Sequence, residues 1–393
     1  MLHLGAKSFD VAVIGGGPSG LALSTVLRQR TTLSVAVIEK TRYEAPRVGE
    51  TLSPGTQRLL QYLGVWEHFH DDGHLPSYGT SACWGTADLV SRDFICTPHG
   101  NGWHLDRRRF DETLAGYAED VGVDLLRGTV ARSIPNACGG WNLALKNDRG
   151  VSEMGVRFLV DATGIASSIA RQAGARRQIL DRMVGVRATV RFDHEPLNDS
   201  YTLVESFEYG WWYSAKLPGS QAIVVLMTDP DLVRDHDWAD SDRFWSVLQN
   251  CRNTWHRLRK GELSSAPRVV PAFSARLNRV YGRDWLAIGD AAASVDPLSS
   301  SGIPRALDSG IRGARAIDLL VRFGRSDAMA TFDRYIQSTF DDYLVQQQQY
   351  YAMETRWPDS LFWKRHSSSC HLPRDHKELP PPNSDSAEKA VAL

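Results

Sequence analysis

The sequence lacks the features of a disulfide-linked, metal-binding, membrane or nucleic-acid-binding protein. Its five cysteines are scattered and never stand in C-x-x-C spacing, which argues against a disulfide framework or a zinc site and favours a reducing cytoplasm. No run approaches the roughly 18 apolar residues of a membrane span, and Met1–Asp10 leads directly into a strand, without a signal peptide. The formal net charge of −1 offers no long-range field to nucleic acid or an anionic membrane. We therefore expect a cytoplasmic protein that binds neither.

The chain opens with a βαβ pattern. Phe9–Gly15 is an apolar run of strand length, Pro18–Arg30 is a helical pattern, and Leu33–Glu39 is a second apolar run. Strand, glycine-rich turn, helix and strand in this order predict a parallel, doubly wound sheet and hence an α/β fold.

The middle of the chain is β-rich instead. Four runs separated by turn residues predict an antiparallel sheet, over Val184–Phe192, Tyr201–Glu208, Trp211–Leu217 and Gln221–Thr228. Helical patterns lie outside it, over Thr51–Leu63 with Ser53 as cap, Arg109–Val121, Pro304–Phe323 and Ala328–Thr355. We expect four parts: a discontinuous nucleotide-binding lobe (1–75, 100–180 and 268–325), an inserted antiparallel-sheet lobe (76–99 and 181–267), a C-terminal helical segment (326–366) and a disordered tail (367–393).

The turn of the βαβ unit reads Gly15-x-Gly17-x-x-Gly20. Gly15 permits the tight turn, Gly17 lets the backbone approach a pyrophosphate, and Gly20 lets helix and strand pack closely. The phosphates would lie at the helix N-terminus, and Glu39 would accept hydrogen bonds from a ribose. The motif by itself does not distinguish FAD from NAD. The predicted cofactor-binding residues of this unit are Gly15, Gly17, Pro18, Ser19, Gly20, Glu39 and Lys40.

A second cluster of glycine and acidic residues distinguishes FAD from NAD. Leu286-Ala-Ile-Gly289-Asp290 is an apolar strand ending in Gly-Asp, and Pro297, Gly302 and a long helix follow. It resembles the second FAD fingerprint of the glutathione-reductase-like aromatic hydroxylases. The resemblance implies that Asp290 binds the ribityl chain and that the backbone around Ser301, Gly302 and Ile303 lies near the N1–C2=O edge of the flavin.

Three further segments match the same hydroxylases. Leu159-Val-Asp161-Ala-Thr-Gly164 resembles their short DG motif near the pyrophosphate. Asp106-Arg107-x-x-Phe-Asp resembles the segment whose arginine contacts the cofactor. In Arg47-Val-Gly49-Glu50, the arginine and the glutamate could serve the flavin or a substrate, or pair with each other. The family resemblance thus covers most of the chain and implies a glutathione-reductase-like FAD lobe with an inserted substrate lobe.

The resemblance also implies the chemistry. Reduced flavin and O2 form a C4a-hydroperoxide whose distal oxygen attacks an electron-rich ring, so no nucleophilic side chain is needed. No second G-x-G-x-x-G is present, so the flavin is reduced by a transiently docked nicotinamide, NAD(P)H, or by another donor. A general base would help, and the candidates are Glu50, Asp296 and His104.

The flavin-dependent tryptophan halogenases form one branch of these flavoproteins. They use a lysine after the V-G-E segment and a W-x-W-x-I-P motif. Here no lysine occurs between Lys40 and Lys146, and the corresponding stretch reads GWWYSAKLP, over 210–218. We therefore expect the protein not to halogenate.

Four segments resemble the peptidyl-tryptophan dihydroxylase flavoproteins that help to build tryptophylquinone cofactors in bacterial amine dehydrogenases and amino-acid oxidases. The segments are 48–54 (VGETLSP), 210–218, 296–302 (DPLSSSG) and 356–363 (RWPDSLFW). The resemblance implies a protein substrate, the small cross-linked subunit of quinohemoprotein amine dehydrogenase, which also meets a radical-type maturase. A protein substrate would need an open cleft, which Trp211, Trp212 and Tyr213 could line, although sheet packing would explain each of them equally well.

Two other functions remain open at this point. A small-molecule aromatic monooxygenase or prenyl-type reductase would share the FAD motifs but would have a closed pocket. A non-catalytic flavoprotein could serve as a platform for maturation of its partner.

Overall fold

The computed structural model describes residues 7–45, 47, 49–136, 139–193 and 200–367. The predicted disordered tail lies outside the described residues except for Ser367. Within the described ranges no helix has both the length and the apolar character to cross a membrane.

The chain forms twenty-one strands and eleven α-helices within the described residues. The strands are β1 (Lys7–Ile14), β2 (Val35–Ile38), β3 (Thr51–Leu52), β4 (Leu75–Ser77), β5 (Gly79–Cys83), β6 (Val90–Asp93), β7 (Gly102–His104), β8 (Asp124–Leu126), β9 (Val130–Pro135), β10 (Trp141–Asn147), β11 (Gly150–Asp161), β12 (Arg177–Ile179), β13 (Val184–Arg191), β14 (Tyr201–Phe207), β15 (Gly210–Leu217), β16 (Gln221–Thr228), β17 (Glu262–Leu263), β18 (Arg268–Pro271), β19 (Ala275–Leu277), β20 (Trp285–Ala287) and β21 (Ala293–Ser294). The helices are α1 (Pro18–Arg30), α2 (Thr56–Leu63), α3 (Trp66–Asp71), α4 (Arg107–Asp120), α5 (Ser168–Gln172), α6 (Pro230–His236), α7 (Ser241–Leu248), α8 (Arg252–Leu258), α9 (Gly302–Phe323), α10 (Asp327–Ala352) and α11 (Leu361–His366).

The first sheet is doubly wound, as the βαβ pattern predicts. Its order is β8-β2-β1-β11-β10-β9, with β20 paired to β11. The strands β2, β1, β11 and β20 run parallel, so their carboxyl ends lie at one edge of the sheet. Ligands of open α/β sheets bind at this edge, where the Gly15 turn, Glu39, the Asp161 turn and the Gly289 turn all lie.

The second sheet confirms the predicted mainly antiparallel lobe. Its order is β17-β13-β16-β15-β14-β5-β6, with β18 paired to β13. One pair, β14 with β5, is parallel. Because β18 belongs to this sheet, the sheet extends beyond residue 267, where we expected the chain to return to the first lobe.

Two local predictions are wrong. Helix α2 begins at Thr56, and Thr51–Leu52 pairs instead as β3 with β7. Ser53 does not cap the helix, since Gly55 holds the N-cap position without a side-chain cap and the Ser53 hydroxyl lies 3.4 Å from Thr56 Oγ1. The segment 51–52 was predicted as helix because its sequence gives no sign of the partner strand β7, about fifty residues later.

Candidate functional site

The glycine turn after β1 is shaped by close contacts. Gly15 has φ of +110°, and a Cβ atom on it would lie 2.2 Å from the Ala162 carbonyl oxygen. A Cβ on Gly20 would lie 2.1 Å from the Gly15 oxygen, whereas one on Gly17 would meet nothing within 4 Å. Gly17 at the N-cap offers no side-chain acceptor to the first N–H groups of α1. An uncapped helix N-terminus of this kind accommodates phosphate.

Glu39 stabilises this turn from the end of β2. Its Oε2 accepts a 2.8 Å hydrogen bond from the Gly16 N–H, and its Oε1 accepts from Thr41 N at 3.0 Å and from Arg47 Nη2 at 3.0 Å. The carboxylate that we predicted to bind a ribose therefore also holds the protein's own turn. Lys40 beside it is exposed.

Arg47 and Arg107 converge on one buried carboxylate. Arg47 Nη1 lies 3.1 Å from Asp111 Oδ2, and Arg107 Nη2 lies 3.1 Å from Asp111 Oδ1. Arg107 Nη1 also donates to the Gly49 carbonyl at 3.2 Å. The alternative that Arg47 pairs with Glu50 is wrong, because its partners are Glu39 and Asp111. Asp111 was missed, although its fixed spacing after Arg107 within the quoted motif was the available signal.

The Asp161 turn lies beside the glycine turn. Asp161 Oδ1 accepts from Thr163 N at 3.0 Å, and its Oδ2 accepts from Ala170 N at 2.8 Å. The side chain is fully buried, so it shapes the turn. Gly164, at φ of +66°, would meet nothing with an added Cβ and leaves room beside that turn.

The Gly289 turn presents Asp290. Gly289 has φ of +56°, its N–H donates to Ser309 Oγ at 2.9 Å, and a Cβ on it would lie 2.6 Å from Ser19 Oγ. Asp290 is exposed although Gly289 and Ala291 on either side are buried. Its side chain therefore faces an open crevice. Desolvation by the surrounding turn raises the pKa of its carboxyl although the residue is partly accessible, and nearby arginines lower it.

The N-terminus of α9 closes the other end of the crevice. Pro297 begins a short 3-10 turn, and Ser301 holds the N-cap position of α9 without a side-chain cap. A Cβ on Gly302 would meet nothing within 4 Å, and one on Gly49 would lie 3.7 Å from Ile303 Cδ1. Two uncapped helix N-termini and an exposed carboxylate at one sheet edge fit the phosphates, ribityl chain and ring of FAD. Bound there, the reduced cofactor supplies the activation of O2.

Glu50 lies next to this helix end. It is buried, its Oε2 accepts from the Gly49 N–H at 3.0 Å, and its Oε1 lies 3.6 Å from Arg187 Nη2. Oε1 accepts no hydrogen bond from any described residue. Burial raises the pKa of this carboxyl, and Arg187 and Arg107 oppose that rise. Glu50 thus has a buried carboxylate oxygen whose hydrogen-bonding capacity is not used by the described residues.

Two further buried groups flank Glu50 through β3, β7 and β15. His104 Nε2 lies 3.3 Å from Thr202 Oγ1, and burial lowers the pKa of the His104 imidazole to about 3, so the ring is neutral. The Tyr213 hydroxyl lies 2.5 Å from Thr51 Oγ1. Thr51, the residue after Glu50, pairs with His104 across β3 and β7 and bonds to Tyr213, so both residues lie on strands next to Glu50. Arg187 was missed because nothing near it in sequence points to Glu50.

Asp296 is placed differently from Glu50. Its Oδ1 accepts from Leu298 N at 3.1 Å, its Oδ2 accepts from Gln347 Nε2 at 2.6 Å, and it is 1% exposed. Burial raises the pKa of its carboxyl to about 6. It ties α10 to the loop before α9, and this enclosure makes it a poorer candidate base than Glu50.

The prediction that Trp211 and Trp212 line an open cleft is wrong. Both are fully buried. Trp211 Nε1 donates to the Tyr351 hydroxyl at 3.0 Å, while Trp212 packs edge-on against Phe244 with ring centroids 5.2 Å apart. Successive strand residues point to opposite faces, and here both faces are covered by other elements. Of the three predicted cleft residues, Tyr213 alone reaches the candidate site, and it too is buried.

The chain and its fold are similar to those of known proteins. Residues 93–379, well over half of the chain, match the family model for tryptophan halogenase. The chain belongs to the tryptophan halogenase family. As a member of this family it is an FAD-dependent oxidoreductase that uses O2 as co-substrate.

Similarity within and around this family extends over nearly the whole chain. A protein of Marinomonas mediterranea described as an FAD-dependent oxidoreductase, LodB, is 29% identical over 91% of this chain and 97% of its own. The flavin-dependent halogenase CmlS superposes with a TM-score of 0.84 at 24% identity, over 93% of this chain and 68% of its own. The peptidyl tryptophan dihydroxylase QhpG, essential for tryptophylquinone cofactor biogenesis, superposes with a TM-score of 0.76 at 21% identity, over 94% and 81%. These two structures share the fold.

Proposed function

We propose that the protein is an FAD-dependent monooxygenase that hydroxylates, in two rounds, the indole ring of a tryptophan in a partner polypeptide during tryptophylquinone biogenesis. The partner is the small cross-linked subunit of an amine dehydrogenase, modified in the cytoplasm alongside a radical-type maturase. The observation that carries this proposal is Glu50 Oε1, a buried carboxylate oxygen that accepts no hydrogen bond from any described residue. An indole N–H can donate a hydrogen bond but cannot accept one. It would therefore complement the unused acceptor Glu50 Oε1.

The sequence after the V-G-E segment supports oxygen transfer over halogenation. The stretch from Lys40 to Lys146 contains no intervening lysine, so an electrophilic oxygen would pass to the ring directly. Each round would place one oxygen atom of O2 on the ring and release the other as water, using two electrons from the donor, for which NAD(P)H is one option. A carboxylate that accepts the indole N–H would increase the electron density of the ring. It would also receive the N–H proton as the ring is attacked. The resemblance of 48–54, 210–218, 296–302 and 356–363 to the peptidyl-tryptophan dihydroxylases adds support.

A small-molecule aromatic monooxygenase is the second candidate. Burial of Glu50, His104 and Tyr213 favours it, because an enclosed pocket suits a free phenol or indole. Steady-state turnover of such compounds by the purified enzyme would support this candidate.

The test uses the full-length flavoprotein, reduced anaerobically and then mixed with O2 and the partner subunit. We expect the partner to gain the mass of one or two oxygen atoms at a tryptophan. Glu50→Gln should reduce the rate by roughly 100-fold, the contribution of a general base. Glu153→Gln, at an exposed position of β11, is the matched control and should keep the wild-type rate. An unchanged partner mass with wild-type enzyme, together with turnover of free indoles, would overturn the proposal.

A further inference from the structure

A half-buried arginine joins two of the motifs that shape the crevice. Arg177 lies in β12, outside all of the sequence motifs. Its Nη1 donates to the Asp290 carbonyl at 3.2 Å and also to Ser167 Oγ, and its Nη2 donates to Ser294 Oγ at 2.8 Å. Asp290 and Ser294 belong to the segment after β20, whereas Ser167 ends the Asp161 turn. One side chain thus links two segments that are more than a hundred residues apart in sequence.

The second segment is already held in an unusual conformation at Ser167. This residue has φ of +44°, in the left-handed region that side chains other than glycine rarely adopt. Its hydroxyl donates to the Ala291 carbonyl at 2.7 Å and accepts from Arg177. The two turns therefore meet through a hydroxyl and a guanidinium, and Arg177 makes the contacts to both.

Two carboxylates and one arginine act on the charge of Arg177. Burial lowers its pKa, and Asp290 and Asp161 oppose that effect while Arg171 adds to it. Its Nε is buried and donates to no described residue. Asp161 is engaged by its own turn, whereas the charge of Arg177 lowers the pKa of the Asp290 carboxyl.

We propose that Arg177 is an FAD-positioning residue: it fixes the Gly289–Asp290 turn against the Asp161–Gly164 turn and so holds the Asp290 carboxylate in place for the hydroxyls of the ribityl chain. A carboxylate accepts several hydroxyl hydrogen bonds only in its ionised form. The charged groups that act on the Asp290 carboxyl are Arg177 from β12, Arg305 from α9 and Arg107 from α4. Removal of Arg177 raises the pKa of Asp290. On acidification, the variant should therefore lose FAD at a higher pH than the wild type does. This role concerns the cofactor alone and is independent of the substrate proposed above.

The experiment measures the dissociation constant of FAD by flavin fluorescence quenching, from about pH 5 to about pH 8. Arg177→Met should weaken binding by roughly 10- to 100-fold near pH 7, as expected for loss of hydrogen bonds from a charged group. The midpoint of acid-side loss should move to higher pH. Arg176→Met, at the exposed neighbouring residue, is the matched control and should bind as the wild type. Arg177→Lys keeps the positive charge but loses the branched guanidinium that bonds several acceptors. It should therefore show the wild-type pH midpoint with only part of the wild-type FAD affinity.

A second comparison separates this role from general support of the fold. In an Asp290→Asn background, Arg177→Met should cost less than roughly 3-fold in affinity, because the carboxylate that it serves is already gone. Circular dichroism of the apoproteins checks folding, and if Arg177→Met does not fold, Arg177→Lys and Asp290→Asn carry the test. Wild-type affinity and pH midpoint in Arg177→Met would overturn the proposal. So would an equal loss of affinity at every pH and in both backgrounds.

Discussion

The glycines of the first turn give a prediction that separates cofactor binding from packing. Gly17 has φ of −83°, which alanine adopts without strain, and a Cβ there meets no protein atom within 4 Å. Gly17→Ala should therefore leave the apoprotein as stable as the wild type. If the open space beside Gly17 receives the pyrophosphate, the same methyl group intrudes on the ligand.

The neighbouring Gly20→Ala should do the opposite. Its Cβ would lie 2.1 Å from the Gly15 carbonyl oxygen, against an ordinary contact of 3.4 Å or more, with Val13 and Ala162 also close. Backbone must therefore move by at least about 1 Å at the tightest contact between β1 and α1. Overpacking of this kind costs about 1–3 kcal/mol, so we expect that loss in the free energy of unfolding.

The assay combines urea unfolding of the apoproteins with FAD titration. Gly17→Ala should weaken FAD binding by roughly 5- to 150-fold, the equivalent of about 1–3 kcal/mol. Gly116→Ala is the control, since this helix position in α4 has open space around it, and it should gain up to about 1 kcal/mol of stability. Wild-type FAD affinity in Gly17→Ala would refute the placement of the pyrophosphate at α1.

Three further predictions concern the rest of the molecule. The pKa of Asp296 is raised from 3.8 to about 6, so this group favours folding at low pH. Relative to Asp296→Asn, the wild type should lose up to about 3 kcal/mol of unfolding free energy between about pH 4 and about pH 7, measured by urea titration. Trp211→Phe removes the donor to Tyr351 and part of a buried ring, and should lower stability by about 1–3 kcal/mol without changing FAD affinity; a large loss of affinity would contradict its placement in the core. Finally, bromide added during turnover should leave every product free of bromine by mass spectrometry, and a brominated product would disprove our interpretation of the missing lysine.

The edge of the first sheet that gathers the glycine and acid motifs could be predicted because its determinants are local. A glycine at a strand end followed by a helix constrains the backbone within a few residues, as the contacts of Gly15 and Gly20 demonstrate. Parallel strands then place their carboxyl ends at one edge whatever the loops do. The motifs near Gly15, Glu39, Asp161 and Asp290 therefore meet as expected.

The aromatic strand could not be predicted in the same way. The sequence GWWYSAKLP indicates a strand but not what covers its faces. Trp211 is covered by Tyr351, and the Trp212 face is covered by Phe244, from segments that lie far along the chain. Burial on both faces is a property of the tertiary structure, so the open cleft inferred from these residues was wrong.

Ion pairs between distant segments were missed for a related reason. Arg187 lies on β13 and reaches Glu50 across the contact between the two sheets. No spacing rule links residues so far apart, and surface arginines elsewhere in the chain look the same in sequence. Asp111 was closer to prediction because it follows Arg107 by one helical turn, a spacing that brings side chains together.

The three candidate bases can now be ranked by one physical requirement. A general base needs an open lone pair beside the substrate and a pKa near the working pH. The pKa of His104 is about 3, so this ring binds a proton too weakly, and Asp296 is enclosed by Leu298 and Gln347. Glu50 combines a raised pKa with an oxygen, Oε1, that accepts no hydrogen bond from the described residues and lies 3.6 Å from Arg187. Wild-type hydroxylation should therefore rise with pH as the Glu50 carboxyl ionises, whereas the slow Glu50→Gln rate should be flat over the same range; an identical pH profile in both would assign the ionisation to another group.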